Sequence, residues 1–273
     1  MKSGCLTVVG TGIQAAGQLT IEARSYIQSS EKLLYLVADP VTRQYLENLN
    51  PTAEDLYGFY APGKPRIMTY VEMVEKIVAE VDKGQNVCVA FYGHPGAFVY
   101  PSHEAIRQLR SRGVRAKMLP APSAEDCLFA DLGLDPAIGC QSFEATSFLI
   151  RKIRFDTSCI LILWQIGVIG DLTFSGQATD MSRPLSVLAE YLQSHYPTDH
   201  RAIIYEASHY PICDPRIDVI PLGDLPKAEV TGISTLCLPP TKAVPVDNEM
   251  IDRLGINREL LGKAVMKLEL RFA

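Results

Sequence analysis

Tyr57, Tyr60, Arg66, Tyr70 and Tyr92 are the residues whose types and spacing could do chemistry in this 273-residue chain. A phenol titrates near 10, so its phenolate is scarce at neutral pH, and a guanidinium held close favours the charged form. Arg66 and Tyr70 lie four residues apart. If Arg66 begins the turn before a helix, that spacing puts both side chains on one face. A tuned phenol can take a proton, and its neighbours can donate hydrogen bonds to a developing oxyanion. The plain alternative is that Tyr57, Tyr60 and Tyr70 are amphipathic packing residues of a loop and a helix.

Two glycine elements stand beside them. Leu6 to Val9 run into Gly10-Thr11-Gly12, the strand-to-loop passage that dinucleotide folds use against a pyrophosphate. The next glycine is Gly17, which spoils the G-x-G-x-x-G spacing, so a tight turn needing positive φ is the larger share of the reading. The second element, Phe91-Tyr92-Gly93-His94-Pro95-Gly96-Ala97-Phe98, leaves a strand and enters a helix near Pro101. In an α/β sheet that position, beyond the carboxyl end of a strand, is where ligands sit. His94 is read as part of a site for this reason. His195, His200 and His209 lack metal-ligand spacing and are read as surface or edge residues, so no metal is expected. His103 is read as a cap-region residue and Trp164 as a core anchor that approaches the pocket.

The elements that must position these residues follow βαβ grammar through the first part of the chain. Strands are expected at 6–9, 32–37, 87–92 and 114–119, with helices at 19–29, 40–49, 68–83 and 102–112. In the 68–83 helix Met73, Ile77, Val78 and Val81 form the apolar face, and Glu72, Glu75, Lys76, Glu80 and Asp82 the polar one. Pro120 and Pro122 mark a boundary, giving domains at 1–119 and 120–240. The second is expected to hold a mixed sheet from strands at 158–165, 201–206, 216–221 and 233–238, with a helix at 184–195. Residues 241–273 are expected to form a charged, partly helical arm.

Composition narrows the partners. With 26 Lys+Arg against 31 Asp+Glu the net charge is −5, which disfavours nucleic acid as a partner, and 47% hydrophobic residues suffice for a full core. Seven cysteines without a C-x-x-C pair disfavour both a disulfide framework and structural zinc, and suit a reducing cytoplasm. The first residues are too few and too soon interrupted by glycine for a signal peptide. The longest apolar run, 159–170, is too short to span a bilayer, so no membrane partner is expected.

Val8-Val9-Gly10-Thr11-Gly12, Tyr92-Gly93-His94-Pro95-Gly96, Ser123-Ala124 and Gly232-Ile233-Ser234-Thr235 together resemble the tetrapyrrole-methylase fold of S-adenosylmethionine-dependent methyltransferases. Tyr57 to Tyr60, Arg66, Tyr70, Leu163-Trp164-Gln165 and Tyr205-Glu206-Ala207 narrow the resemblance to the borosin peptide-backbone α-N-methyltransferases. The resemblance implies two α/β domains with S-adenosylmethionine in the interdomain cleft, and S-adenosylhomocysteine as product. It implies a pocket lined by Tyr92, His94, Ala97, Ser123, Ala124, Gln165, Ala207, Ser234 and Thr235. Pro120-Ala121-Pro122 before Ser123 departs from the glycine that many relatives carry there. The first glycine loop would shape the cleft rather than hold the cofactor.

The borosin likeness further implies iterative methylation of backbone amides, by a homodimer. The charged end of the chain, without an apolar core peptide, places the likeness with the split kind, in which a separate precursor peptide binds in trans and completes a heterotetramer. A peptide nitrogen is a poor nucleophile because its lone pair is delocalised into the carbonyl. Its alkylation needs a base and a donor to the amide oxygen: Tyr70, tuned by Arg66, is expected as the base, Tyr92 as the donor, and Tyr57 and Tyr60 as orienting groups. The rival readings are a methyltransferase of a corrin precursor, which would call for more basic residues than Lys64 and Arg66 in the 57–70 loop, an RNA methyltransferase, and a non-catalytic peptide-binding protein on this fold.

Overall fold

Short apolar runs form two five-stranded sheets in the computed structural model, which describes residues 4–37, 39–174, 180–241 and 245–261. The first sheet is built by β1 (Cys5–Gly10), β2 (Lys32–Leu36), β3 (Glu54–Asp55), β4 (Asn86–Phe91) and β5 (Ala116–Met118), in the order β3-β2-β4-β1-β5. Every pairing in it is parallel. The connections are α1 (Ile21–Ser29), α2 (Pro40–Leu49), α3 (Arg66–Asp82) and α4 (Tyr100–Ser111).

Both faces of this sheet are covered, which is why its central strands read as unbroken apolar runs rather than alternating ones. Val87, Val89 and Phe91 of β4 pack with Met73 and Ile77 of α3 and Leu109 of α4. Cys88 and Ala90, pointing the other way, pack with Ile27 of α1 and Leu46 of α2. The expected apolar stripe of α3 is in place, but the helix starts two residues before position 68, at Arg66 behind Pro65. Glu80, expected on the polar face, is 5% exposed and is held by Lys76 at 2.9 Å and Lys83 at 2.9 Å.

The second sheet contains β6 (Cys140–Glu144), β7 (Ile160–Trp164), β8 (Arg201–Glu206), β9 (Arg216–Pro221) and β10 (Thr235–Leu238), in the order β6-β7-β10-β8-β9. Only β6 and β7 run parallel, so the sheet is mixed. One face packs on α6 (Ala145–Ile150) and α7 (Ser182–Gln193) through Phe148, Leu185, Leu188 and Leu192. The other packs on α5 (Ala124–Leu132) through Leu128, Trp164 and Tyr205.

Helices α5 and α6 and strands β3 and β6 are absent from the sequence reading. For α5 a signal was available: Ser123 and Asp126 make a reciprocal capping box, and Gly133 ends the helix at φ 64°. After Pro122 the backbone enters this helix from an extended Ser123. In the arm, α8 (Asn248–Arg253) is helical with Ile251 buried; the part of the expected arm from 262 onward lies outside the described residues. Among the described residues no helix is long and apolar enough to cross a membrane, and no His, Cys, Asp and Glu group is placed to hold a metal.

Candidate active site

Between the two sheets lies a cavity of about 690 Å³. The first half of the chain contributes Arg66 and Tyr70 of α3, Gly96, Phe98, Val99, and Tyr100 and His103 of α4. The second contributes Glu144, Thr146, Ser147 and Ile150 around α6, then Gln165, Val168, Asp171 and Leu172 after β7. Its rim is apolar and open: Ile67, Phe98, Tyr100, Ile150 and Leu172 are all exposed.

A clasp joins the two halves across this cleft. The N–H of Gly63 donates to the Phe174 carbonyl, that of Phe174 to Lys64, and that of Arg66 to Leu172, at 2.9, 3.1 and 3.0 Å. Phe174 also packs on Tyr60, with ring centroids 4.9 Å apart, and edge-on to Tyr57 at 6.1 Å. The segment 57–66 is therefore held by the second half of the chain as much as by its own.

Arg66 and Tyr70 stand one turn apart on α3, and both face the cavity. The Arg66 guanidinium reaches over the cleft: Nε donates to the Thr173 carbonyl at 2.9 Å and the Asp171 carboxylate lies 3.4 Å away. Burial pushes the Tyr60 hydroxyl well above the ordinary phenol range, with the neighbouring Tyr70 and a hydrogen bond to it acting in the same direction and Arg66 opposing. The Tyr70 ring also stacks on Tyr100, 6.4 Å between centroids.

Tyr92 is placed differently from the sequence expectation. It is not among the residues lining the cavity; its hydroxyl sits 2.9 Å from His209 Nε2. Burial, with Cys127 and Asp39 nearby, raises its pKa, so it stays a protonated donor. His209, read from sequence as a surface or edge residue, is half-buried as this partner, and its carbonyl receives the Ala15 N–H at 2.8 Å. No spacing signal marks it, because the contact joins residues 117 positions apart.

The two glycine elements meet. Gly12 and Gly93 form a bridge, with the Gly93 N–H on the Gly12 carbonyl at 2.9 Å, and both have positive φ. A Cβ on Gly10 would stand 2.1 Å from the Gly93 carbonyl oxygen. His94 Nδ1 accepts the Gly96 N–H at 3.0 Å, and His103 Nε2 lies 2.8 Å from the Gly96 carbonyl, so both imidazoles brace the second loop.

Of the pocket residues expected from sequence, Gln165 lines the cavity, and Ala97 lies between Gly96 and Phe98, which do. Gln165 and Phe98 both hold left-handed backbone, φ 62° and 59°. Strain of this kind in non-glycine residues collects at functional sites. The others gather around an adjoining cluster. Phe98 packs on Trp164 at 6.1 Å, and Trp164 shares its core cluster with Ala124 and Ala207. The N–H of Ile166 donates to the Ser234 carbonyl at 3.1 Å, and Thr235 pairs with Tyr205 across β10 and β8. Ser123 caps α5, beside an Asp126 whose carboxyl is held low, against its desolvation, by hydrogen bonds from the Ser123 hydroxyl and backbone N–H.

Two α/β layers facing across a cleft define the class. The structure superposes on uroporphyrin-III C-methyltransferase of Thermus thermophilus with a TM-score of 0.62 at 17% identity, covering 90% of this chain and 99% of that one. A diphthine synthase superposes with a TM-score of 0.58 at 10% identity, covering 88% and 91%. Residues 5–209 match the tetrapyrrole (corrin/porphyrin) methylases, and the chain belongs to that family.

Within it, the chain is 42% identical over 260 residues to the methyltransferase and gymnopeptides precursor of Gymnopus fusipes, covering 93% of this chain and 62% of that one. It is equally identical over 260 residues, with the same coverage, to the methyltransferase and omphalotin A precursor of Omphalotus olearius. A type III borosin methyltransferase and precursor of Anomoporia bombycina is 40% identical over 261 residues, 94% of this chain and 30% of that one. The chain thus spans about three fifths of the first two relatives.

Proposed function

We propose that this protein is an S-adenosylmethionine-dependent α-N-methyltransferase that methylates successive backbone amides of a separate precursor peptide. The observation that carries the reading is Arg66 and Tyr70, one helical turn apart on the wall of an open cavity, with the buried Tyr60 phenol beside them. Family membership and relatives that unite a methyltransferase with a ribosomal cyclic-peptide precursor support it.

The cavity suits the cofactor by size and lining. Its volume falls in the range of roughly 300–1,000 Å³ typical of small-molecule sites, and its wall carries both apolar side chains and polar groups such as Gln165. Gln165 and the 96–98 loop would hold the cofactor from opposite walls, with Ser123, Ala124, Ala207, Ser234 and Thr235 behind them. When bound, the cofactor supplies an electrophilic methyl group on a positively charged sulfur.

The chain's own residues prepare the nucleophile. An extended peptide enters over the apolar rim, and its seating there excludes the water that would compete for the amide. Tyr70 Oη takes the amide proton, with Tyr60 beside it and Arg66 one turn away stabilising the phenolate. As the proton leaves, negative charge builds on the amide oxygen, where a protonated phenol such as Tyr92 has the chemistry to donate. Tyr57 and Phe174 hold Tyr60 in place.

The corrin-precursor reading is disfavoured by the two basic residues of the loop, since Lys64 is paired to Glu72 and Arg66 to Asp171, leaving neither for a polyanion. Homodimerisation, a heterotetramer with precursor, and a cytoplasmic location complete the proposal; all seven thiols are free. The test is incubation of the 273-residue chain with S-adenosylmethionine and a separate apolar peptide, read by tandem mass spectrometry. Backbone N-methyl groups that vanish in Tyr70→Phe while cofactor affinity holds are expected. Peptide that binds unmodified would make the protein a binder, and full turnover by Tyr70→Phe would remove Tyr70 as base.

A further inference from the structure

Arg66 does not hold its own position. Its guanidinium is fixed from the far side of the cleft by a turn in which Asp171 Oδ1 accepts the Thr173 N–H at 2.8 Å and the Thr173 hydroxyl at 2.9 Å. That turn presents the Thr173 carbonyl to Arg66 Nε, and the second carboxylate oxygen of Asp171 faces Arg66 NH2. Both partners are three-quarters buried, at 24% side-chain exposure each, so solvent screens the pair less than on an open surface.

We propose that Asp171 is a positioning residue for the reaction: it anchors Arg66 across the cleft, and its negative charge offsets the pull of that guanidinium on the Tyr60–Tyr70 pair. The inference rests on the methyl-transfer reading for its catalytic consequence but not for its electrostatics. An anion paired with the guanidinium cancels part of its field at the neighbouring phenols, so removing the charge while keeping the turn makes a phenol easier to ionise. Asn is isosteric with Asp and keeps an Oδ1 acceptor for Thr173.

The groups that face Tyr70 are few. Arg66 is on its own helix, Tyr57 and Tyr60 are on the preceding turn, and Tyr100 and His103 are on α4. Glu144 and Asp171 come from the second half of the chain. Glu144 is occupied by the N–H groups of Thr146 and Ser147 at 2.8 and 2.6 Å, and His103 by Gly96. Asp171 is therefore the carboxylate that contacts Arg66 directly.

The experiment is an ultraviolet titration of the phenols, which records neither imidazole nor carboxylate, on wild type, Asp171→Asn and Asp171→Glu, each with and without Tyr70→Phe. In Asp171→Asn one phenol is expected to titrate about half a unit or more lower, less than the 1–3 units an adjacent charge produces. The shift is expected to disappear in the Tyr70→Phe background. Asp171→Glu keeps the charge and is expected to titrate as wild type, with a reduced kcat because the turn and the guanidinium move. The ascending limb of the kcat profile is expected to move down in Asp171→Asn alone. An unshifted phenol in Asp171→Asn, or the same shift in Asp171→Glu, overturns the proposal. Absence of methylation by wild type would overturn the functional reading and leave the phenol titration as the test of Asp171.

Discussion

Gln165 offers a perturbation in which stability and function separate. It follows β7 with φ 62° and ψ 38°, and its carbonyl receives the Val168 N–H at 3.1 Å in the turn that carries the chain along the cavity. Left-handed backbone costs a residue with a Cβ roughly 1–2 kcal/mol, whereas glycine enters it without that penalty. Against this, glycine frees the unfolded chain by about 0.4–1 kcal/mol relative to alanine. The difference predicts that Gln165→Gly is more stable than Gln165→Ala by about 1 kcal/mol, or about 2–4 °C in Tm at this chain length. Both variants lose the same amide from the cavity wall, so both are expected to bind S-adenosylmethionine about tenfold or more weakly, the cost of one to two lost hydrogen bonds. Differential scanning calorimetry without ligand and isothermal titration with it measure the two effects. An alanine variant as stable as the glycine variant would refute the strain assignment, and undiminished affinity in both would remove Gln165 from the cofactor site.

Two further outcomes follow from packing and burial. Gly10→Ala puts a methyl group against the Gly93 carbonyl oxygen, the Ala121 Cβ and the Pro95 ring, so overpacking should cost about 1–3 kcal/mol and disturb the His94 loop; unchanged denaturant unfolding would show that the loops part freely. Thiol alkylation near neutral pH should reach exposed Cys213 first, while burial pushes Cys140 up to about 11 and Cys237 up to about 12 and leaves both as unreactive thiols. Peptide mapping that finds Cys237 labelled as fast as Cys213 in folded protein would contradict the burial.

Much of the frame is legible in the order of residues. The parallel sheet announces itself because strands covered on both faces are apolar throughout, as 87–91 are, and α2 at Pro40–Leu49 and strands β8 and β9 fall where the pattern puts them. The i, i+4 spacing of Arg66 and Tyr70 is a local property, and local geometry suffices to bring both to one cavity wall. Strand β6 and helix α6 escape the reading because each is short, and β6 has no fully buried position to mark an inward face.

What the sequence could not state is who stands opposite. Asp171, Thr173 and Phe174 reach the 57–66 segment from more than a hundred residues away, and His209 meets Tyr92 from farther still. Glu80 reads as solvated because periodicity records a residue's direction and not the lysines that cover it. Residue type and spacing determine which side chains a helix or strand presents. The neighbours that set their charge, their donors and their exposure are brought together only when the two sheets close on each other, and that closure is a property of the folded chain.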